Sequence, residues 1–523
     1  MNYKPYNLKN NDEINKKYNS LIAKFLLSFE DNLEDILNYK DLKDNEYKID
    51  HIVDRIIYAK ENKQKVLIVG DYDCDGICSS TIMCDIFTKL NIEHKCYIPN
   101  RVKEGYGLNE TIVDQAIRKN YNLLICVDNG VLCNELLSKL QDNGVDYLVI
   151  DHHHYEEFIN EDKLLHPNLL SEYYHNQCAT GLCYLLSTRL LDNNDFALML
   201  SCIATISDVM KLKNVNRYYV VEGMKLLNKT DLICLKLLNE SDVFNEESLM
   251  FTLIPKINAT GRLSIANPND TVRYLLDKND VNIMTHSKLL SDINKKRKDL
   301  TSSYYNEIIK EIDTNSEFII IYKDGIEEGI IGILAGRISN TYNKPCVIFT
   351  NKETIKGSIR SIKGVDLKIF FKDFNKLISY GGHELAAGIS INQNDLESFK
   401  EYVNNKMLDL VIDQEKFYLS LDDKDLCINN YLELMEFRPF GEGFRIPLVG
   451  YTHIINDIKL LSNNKHSKIV INESLEVIFF NRNLIQEGYR ADDKLLIIGN
   501  IKLNEFNKKK SIQILSEDMI KLC

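Results

Sequence analysis

The chain has 523 residues, 44% hydrophobic and 27% charged, and carries a formal charge of −12. That length exceeds one ordinary core and predicts several domains, and the composition is that of a folded globular protein, not a disordered one. The acidic balance excludes a surface coated in basic residues, although not a local basic groove, and the longest apolar runs ("NLLICV", "YLVI") fall far short of a membrane span.

Residues 1–50 are polar and Asn/Lys-rich, which predicts an N-terminal lead-in, and the first residues lack the apolar core of a signal peptide. The 13 cysteines form no C-x-x-C pair and lie among apolar runs, so they are expected as reduced thiols of a cytoplasmic protein. From Lys65 onward strand and helix patterns alternate. "KVLIVG" precedes "CSSTIMCDIFTKL", "HKCYIP" precedes "NETIVDQAIRK", "NLLICVD" precedes "CNELLSKLQD", and "DYLVID" follows. Such alternation predicts βαβ units around a parallel sheet covered on both faces. Helical patterns then dominate 179–240.

Residues 280–313 lack Gly and Pro and keep Leu and Ile at helical spacing, predicting a long connecting helix. A second, smaller α/β segment follows, with "FIIIY", "GIIGILAGRI", "PCVIF" and "GSIRS". The last hundred or so residues carry short strand patterns between polar turns, as in a small β-barrel. The expected fold class is therefore α/β, with a β-barrel appended.

Polar clusters close the strands of the first α/β segment. The first strand ends in Asp71, Asp73 and Asp75, the third in Asp128, and the fourth in Asp151, His152, His153 and His154; a later helical run supplies Asp208. In open α/β sheets ligands bind beyond the carboxyl ends of the strands, so these groups are expected to converge on one crevice. Carboxylate oxygens with imidazole nitrogens suit a divalent ion such as Mn²⁺, and several shared carboxylates suit two ions close together. Each element also has an ordinary reading: a D-x-D-x-D run as a solvated turn or cap, "VDNG" as a strand-end turn, a buried His as a satisfied core residue, Asp208 as a helix-terminal acid.

Taken together, "GDYDCDG", "VDNG", "DHH" and "SDVM" resemble the four signature motifs of the DHH phosphoesterase superfamily, and "SYGGHELAAG" resembles the glycine-histidine motif of its associated DHHA1 domain. Within the superfamily, "PNRVKEGYGL" (99–108), "INATGRL" (257–263), "GIIGILAGRI" (329–338), "GSIRS" (357–361) and "RPFGEG" (438–443) resemble the RecJ single-strand-specific exonucleases. The resemblance runs from about residue 50 to the end. It implies a lead-in at 1–50, a DHH catalytic domain at 51–275, a connecting helix at 276–315, a DHHA1 substrate-binding domain at 316–405 and an OB-fold at 406–523.

The implied activity is 5′-to-3′ hydrolysis of single-stranded DNA by two divalent ions, Mn²⁺ preferred and Mg²⁺ possible, in DNA repair and recombination. The implied metal ligands are Asp73, Asp75, Asp128, His152 and Asp208, with Asp128 as the bridge. His153 is implied as a ligand or a substrate-facing group, and Asp71 as a catalytic-site residue that binds metal or orients a ligand; His154 falls outside the motif and reads as exposed. Arg101, Arg262, Ser358, Arg360, Gly382 and His383 are implied as the groups that hold the strand. The basic runs at 294–298 and 507–510 read as solvated faces, the second also as an aid to the barrel in tracking a strand. Implied partners are single-stranded DNA and a single-strand-binding protein or helicase, with the chain itself monomeric.

Ile326 and Glu327 stand where the family commonly has Trp-His, Phe444 where Asn is usual and Thr260 where Ala is common. The rival readings are a nano-RNA or cyclic-dinucleotide phosphodiesterase of the same superfamily and a catalytically inactive replisome-associated relative. The intact acids and histidines speak against the latter.

Overall fold

The computed structural model describes residues 2–9, 11–29, 33–39, 42, 49–101, 104–350, 354–410, 415–506 and 509–522. The chain divides into two compact units, one of Met1–Tyr39, Lys211–Lys213 and Gln414–Cys523, the other of Lys40–Met210 and Asn214–Asp413. The first strand, β1 (Asn2–Pro5), belongs to the former and is taken up with it below.

The larger unit holds two sheets. In the first, β2 (Val66–Val69), β3 (His94–Tyr97), β4 (Leu123–Val127), β5 (Asp146–Ile150) and β6 (Leu164–Leu165) run parallel in the order β3-β2-β4-β5-β6. Every residue of β2 and β4 is buried, as continuous apolar strands covered on both faces require. Three crossover helices, α1 (Cys74–Lys89), α2 (Glu110–Arg118) and α3 (Asn134–Asp142), connect them. The pairings Val69↔Cys126 and Val127↔Ile150 align the strand ends, so that Asp71, Asp128 and Asp151 leave the sheet at neighbouring points. Helices α4 (Ala179–Leu190) and α5 (Asp195–Ser207) are both mostly buried; α5 ends at Asp208.

The expected connecting helix is α6, Asp280–Ile308, capped by the Asn279 side chain. The second sheet follows, in the order β10-β11-β9-β8-β7, from β7 (Ile319–Tyr322), β8 (Cys346–Thr350), β9 (Thr354–Arg360), β10 (Leu377–Gly382) and β11 (Ala386–Asn392). Only β7 and β8 pair in parallel; the rest of this sheet is antiparallel. Helix α7 (Glu328–Tyr342) buries Leu334, Ala335 and Ile338 against Cys346 and Ile348, and Ile326 joins that core in place of an aromatic residue.

The smaller unit is an eight-stranded sheet whose last two strands, Lys494–Phe506 and Lys509–Leu522, are long and antiparallel. Strand β1 pairs in parallel with Glu415–Leu421, so part of the segment expected as a lead-in is built into this sheet. The helix Ser20–Leu27 adds Phe25, whose ring lies 5.3 Å from Phe444 and 5.9 Å from Phe440. A fully buried Phe444 thus fills an aromatic cluster where a polar side chain has no place.

Candidate metal centre and arginine cluster

Asp71 follows β2 directly, and Asp73 begins α1. One oxygen of Asp73, Oδ1, accepts from the amides of Asp75 and Gly76 at 3.0 and 3.1 Å, which fulfils the ordinary capping reading and leaves the second oxygen for other partners. Asp75, the second residue of the helix, is 2% exposed. Its Oδ2 accepts from the Ala179 amide and its Oδ1 from the Thr180 amide, both at 2.8 Å, so the start of α4 fixes the carboxylate.

Asp128 sits at φ +62° just beyond β4, a backbone state that Asp tolerates better than most residues. Its neighbour Asn129 donates to the carbonyls of Val69 and Val127 and accepts from the Leu108 amide, tying two strand ends to the loop before α2. His152 Nε2 lies 3.3 Å from Asp128 Oδ1, 3.7 Å from Asp75 Oδ2 and 3.7 Å from Asp208 Oδ2. All seven residues expected in the catalytic set (Asp71, Asp73, Asp75, Asp128, His152, His153, Asp208) therefore stand together. Their donor atoms fall into three overlapping groups, each within 4.8 Å: Asp71/Asp73/Asp128, Asp75/His152/Asp208 and Asp128/His152/His153. Asp128 belongs to two of the groups, as does His152.

The electrostatics explain what such a cluster needs. Burial first, then mutual repulsion, drives the Asp71, Asp128 and Asp208 carboxyls well above their usual range and raises Asp73 as well. The Oδ1 atoms of Asp71 and Asp128 are buried and accept no hydrogen bond among the described residues. Orphaned carboxylate oxygens beside an imidazole nitrogen fit divalent cations, which would satisfy the oxygens and cancel the repulsion. The residues that could hold such ions are those of the three groups.

Asp151 behaves differently. Buried to 1% exposure, it accepts from the amides of Val131, His152 and His153 and from His153 Nδ1 at 2.7 Å. Burial raises its carboxyl, but the hydrogen bond and charge of His153 outweigh it, and the net shift is downward. For His153 burial opposes the charged ring, and the bond to Asp151 overcomes it, carrying the pKa to about 9. Asp151 is thus the residue that orients His153. The sequence places it at the strand end without a role, because a D-H-H run does not say whether its acid faces a cation or a neighbouring imidazole. Tyr106, likewise unassigned beforehand, donates to the Asp128 carbonyl at 2.8 Å and sits 3.5 Å from His153 Nε2. His154 is exposed, as expected.

The expected strand-holding residues lie in two places. Arg101 lies over the Tyr72 ring at 5.0 Å; residues 102 and 103 of the same motif lie outside the described residues. Arg262 donates to the Gly329 carbonyl at 3.3 Å, and burial, with repulsion from Arg101 and Arg297, pushes its guanidinium down to about 10. Arg360 donates to Ser358 Oγ at 3.1 Å, and its guanidinium too is lowered by burial and by Arg101. Gly382 ends β10, and the adjacent His383 ring has its pKa lowered by burial and then by the charge of His153. Thr260 and Glu327 find partners of their own: Thr260 Oγ1 donates to the Ile257 carbonyl, and Glu327 accepts from the Ser264 amide at 2.8 Å. Neither replacement touches the acidic cluster directly.

Of the basic runs expected as solvated faces, Lys295, Lys296 and Lys298 are exposed, but Asn294 is buried and Arg297 half-buried. Residues three apart share a helix face, so one side of the run turns inward. In the second run, Lys509 and Lys510 are exposed, and residues 507 and 508 lie outside the described residues. No described helix is long and apolar enough to cross a membrane.

Comparison with known proteins matches residues 65–206 to the DHH family N-terminal domain, 315–409 to the DHHA1 domain and 419–518 to the RecJ OB domain. The single-stranded-DNA-specific exonuclease RecJ of Bacillus subtilis is 29% identical over 492 residues, which cover 89% of this chain but 62% of that protein. The RecJ of Haemophilus influenzae is 27% identical over 518 residues and covered to 90%, as is this chain. The crystal structure of Thermus thermophilus RecJ in complex with Mn²⁺ superimposes with a TM-score of 0.87 at 21% identity, covering 100% of this chain and 80% of that one. Domain order, motifs and fold agree: the chain belongs to the DHH/DHHA1 phosphoesterase superfamily, in its RecJ branch.

Proposed function

We propose that this protein is a RecJ-like exonuclease that hydrolyses phosphodiester bonds of single-stranded DNA from the 5′ end. The observation that carries the reading is the set of buried, orphaned carboxylates of Asp71 and Asp128 beside His152 at the ends of the first sheet. It is supported by relatives that bear the name of single-stranded-DNA-specific exonuclease.

In this reading Asp73, Asp75, Asp128, His152 and Asp208 hold two divalent ions, Mn²⁺ in preference to Mg²⁺, with Asp128 shared between them. When bound, the ions supply Lewis acidity and charge neutralisation for hydrolysis of a phosphodiester. The chain's own residues do the rest. Thr180 and the Ala179 amide keep Asp75 in one orientation. Asp151 keeps His153 cationic at neutral pH, so that its Nε2–H can donate to a phosphate oxygen or to the leaving group. Arg101, Arg262, Arg360, Ser358, Gly382 and His383 hold the strand through its phosphates.

The same reading gives residues 51–275 the catalysis, 316–405 the substrate grip and 406–523 the tracking of longer strands, with 276–315 as the connector. A C-terminal sheet of this size favours strands over dinucleotides as substrate. The protein would work in the cytoplasm as a monomer in repair and recombination, alongside a single-strand-binding protein or a helicase.

An oligonucleotide labelled at either end, incubated with Mn²⁺ and then with chelator, tests the reading. Mononucleotide release from the 5′ end of single strands, with blunt duplex largely spared, is the expected result. Equal digestion of duplex, or turnover of dinucleotides alone, would overturn it.

A further inference from the structure

The edge strand of the first sheet leads into a buried imidazole that lies outside every motif. His166 follows β6 directly and is 2% exposed. In the register of the sheet Ile150 faces Leu165, and the Asp151 amide donates to the Leu165 carbonyl at 3.1 Å. That pairing brings His166 alongside the turn that carries His152 and His153.

Three contacts fix the ring there. Its Nδ1 accepts from the Asn168 amide at 3.2 Å, capping the short turn Pro167–Leu169. A charged ring would set a second N–H against that amide, so the form that fits is neutral, with its proton on Nε2. Nε2 lies 3.0 Å from the His153 carbonyl oxygen, to which it donates. The Tyr155 ring packs edge-on against the imidazole, with centroids 4.9 Å apart, and holds its plane.

His153 is thereby anchored at both of its peptide groups. Asp151 accepts from its amide and from its Nδ1, whereas His166 holds its carbonyl. Asp151 alone would leave the turn free to pivot about one carboxylate, and the ring would swing with it.

We propose that His166 is a positioning residue for His153: by holding the His153 carbonyl, it keeps the His153 ring where its Nε2–H meets the phosphate being cleaved. This rests on the strand-cleaving reading above for what the ring meets. A buried side chain behind the turn would then govern the chemical step without touching the strand.

Two substitutions separate this role from that of a local cap. His166→Asn keeps an acceptor for the Asn168 amide but is too short to reach the His153 carbonyl. His166→Gln sets its amide nitrogen near the place of Nε2 and keeps that bond. With the full-length protein, Mn²⁺ and a single-stranded oligonucleotide, the Asn variant should lose about ten- to a hundredfold in kcat at nearly unchanged KM. The Gln variant should stay within about threefold of wild type. In chelator, the imidazole nitrogen NMR signals of His153, assigned with His153→Gln, should move toward those of free histidine in the Asn variant only. All measurements are made below the melting midpoint of each variant, so that folded protein carries every signal. Unmoved ring signals or wild-type kcat in the Asn variant, or equal losses in both variants, would overturn the inference and leave the exonuclease reading standing. A wild type that cuts no single strand would overturn that reading, and the ring signals in chelator would still decide the role of His166.

Discussion

Thr180 holds Asp75 twice on the same oxygen: its amide donates to Oδ1 at 2.8 Å and its hydroxyl at 2.5 Å. A residue just inside α4 thereby sets the direction of a carboxylate in α1, more than a hundred positions earlier in the chain. Groups that orient metal-binding carboxylates are expected to matter nearly as much as the ligands. Thr180→Val keeps the shape and the amide bond but removes the hydroxyl. It should weaken Mn²⁺ binding about ten- to a hundredfold and cost about 1 kcal/mol of stability. Calorimetric titration and thermal melting would measure both; wild-type affinity in the variant would show that the amides suffice.

The crowding of Asp128 by Asp75, Asp73 and Asp71 makes an opposite prediction for stability. Asp128→Asn removes one buried like charge and keeps a residue that tolerates φ +62°. Activity should fall by at least about a thousandfold, in line with the loss of a group that touches the reacting centre. Yet in chelator the variant should melt no lower than wild type, and the rise in melting temperature on adding Mn²⁺ should disappear. A metal-induced rise as large as that of wild type would remove Asp128 from the set of ligands.

The pH dependence of the metal-free protein follows from the same groups. Asp71, Asp128 and Asp208 hold their protons more tightly folded than unfolded, because of burial and then neighbouring acids. Their contribution to stability is complete below the unfolded value of 3.8 and is lost as pH rises through the raised folded values. His153 acts in the same direction, its share being lost as pH climbs through about 9. Asp151, lowered by His153, acts oppositely, its share vanishing as pH falls below the ordinary carboxylate range. His152, lowered by burial, also acts oppositely, its share vanishing as pH falls below the ordinary imidazole range. In chelator the three raised carboxyls outnumber it, so melting temperature should fall as pH rises above the ordinary carboxylate range, and Mn²⁺ should reverse the trend because ions displace the same protons. A metal-free melting temperature that rises with pH there would contradict the cluster's electrostatics.

Gly329 opens α7 against the loop that carries Arg262. A Cβ at Gly329 would stand 2.1 Å from the Arg262 carbonyl oxygen, which is backbone and has little room to move. Gly329→Ala should cost about 1–3 kcal/mol, typical of overpacking, and should raise KM for single strands by displacing Arg262. Gly261→Ala, with its Cβ 2.3 Å from the Tyr72 carbonyl oxygen, should act alike. Wild-type melting and kinetics in both would show that the loop shifts freely.

The strand-helix alternation, the acids at the strand ends and the inclusion of Asp128 and His152 in one crevice were legible in the sequence, because each rests on short-range pattern. A buried parallel strand must be continuously apolar, and the sheet's topology sends all its carboxyl ends to one side. The reading of Asp73 as either a cap or a ligand was resolved differently: one oxygen caps α1 while the other remains free to face the cluster.

What the sequence by itself determined is the inventory of charged groups and the edge of the sheet at which they emerge. Tertiary structure alone decided which partner each of them keeps. Asp151 turns to His153, Thr180 closes on Asp75, Arg297 turns to Asn294 while its neighbouring lysines face water, and strand β1 joins residues more than four hundred positions later. Local periodicity says which side chains share a face. Which face is buried, and which donor reaches a given oxygen, depends on segments distant in the chain that meet only when it folds.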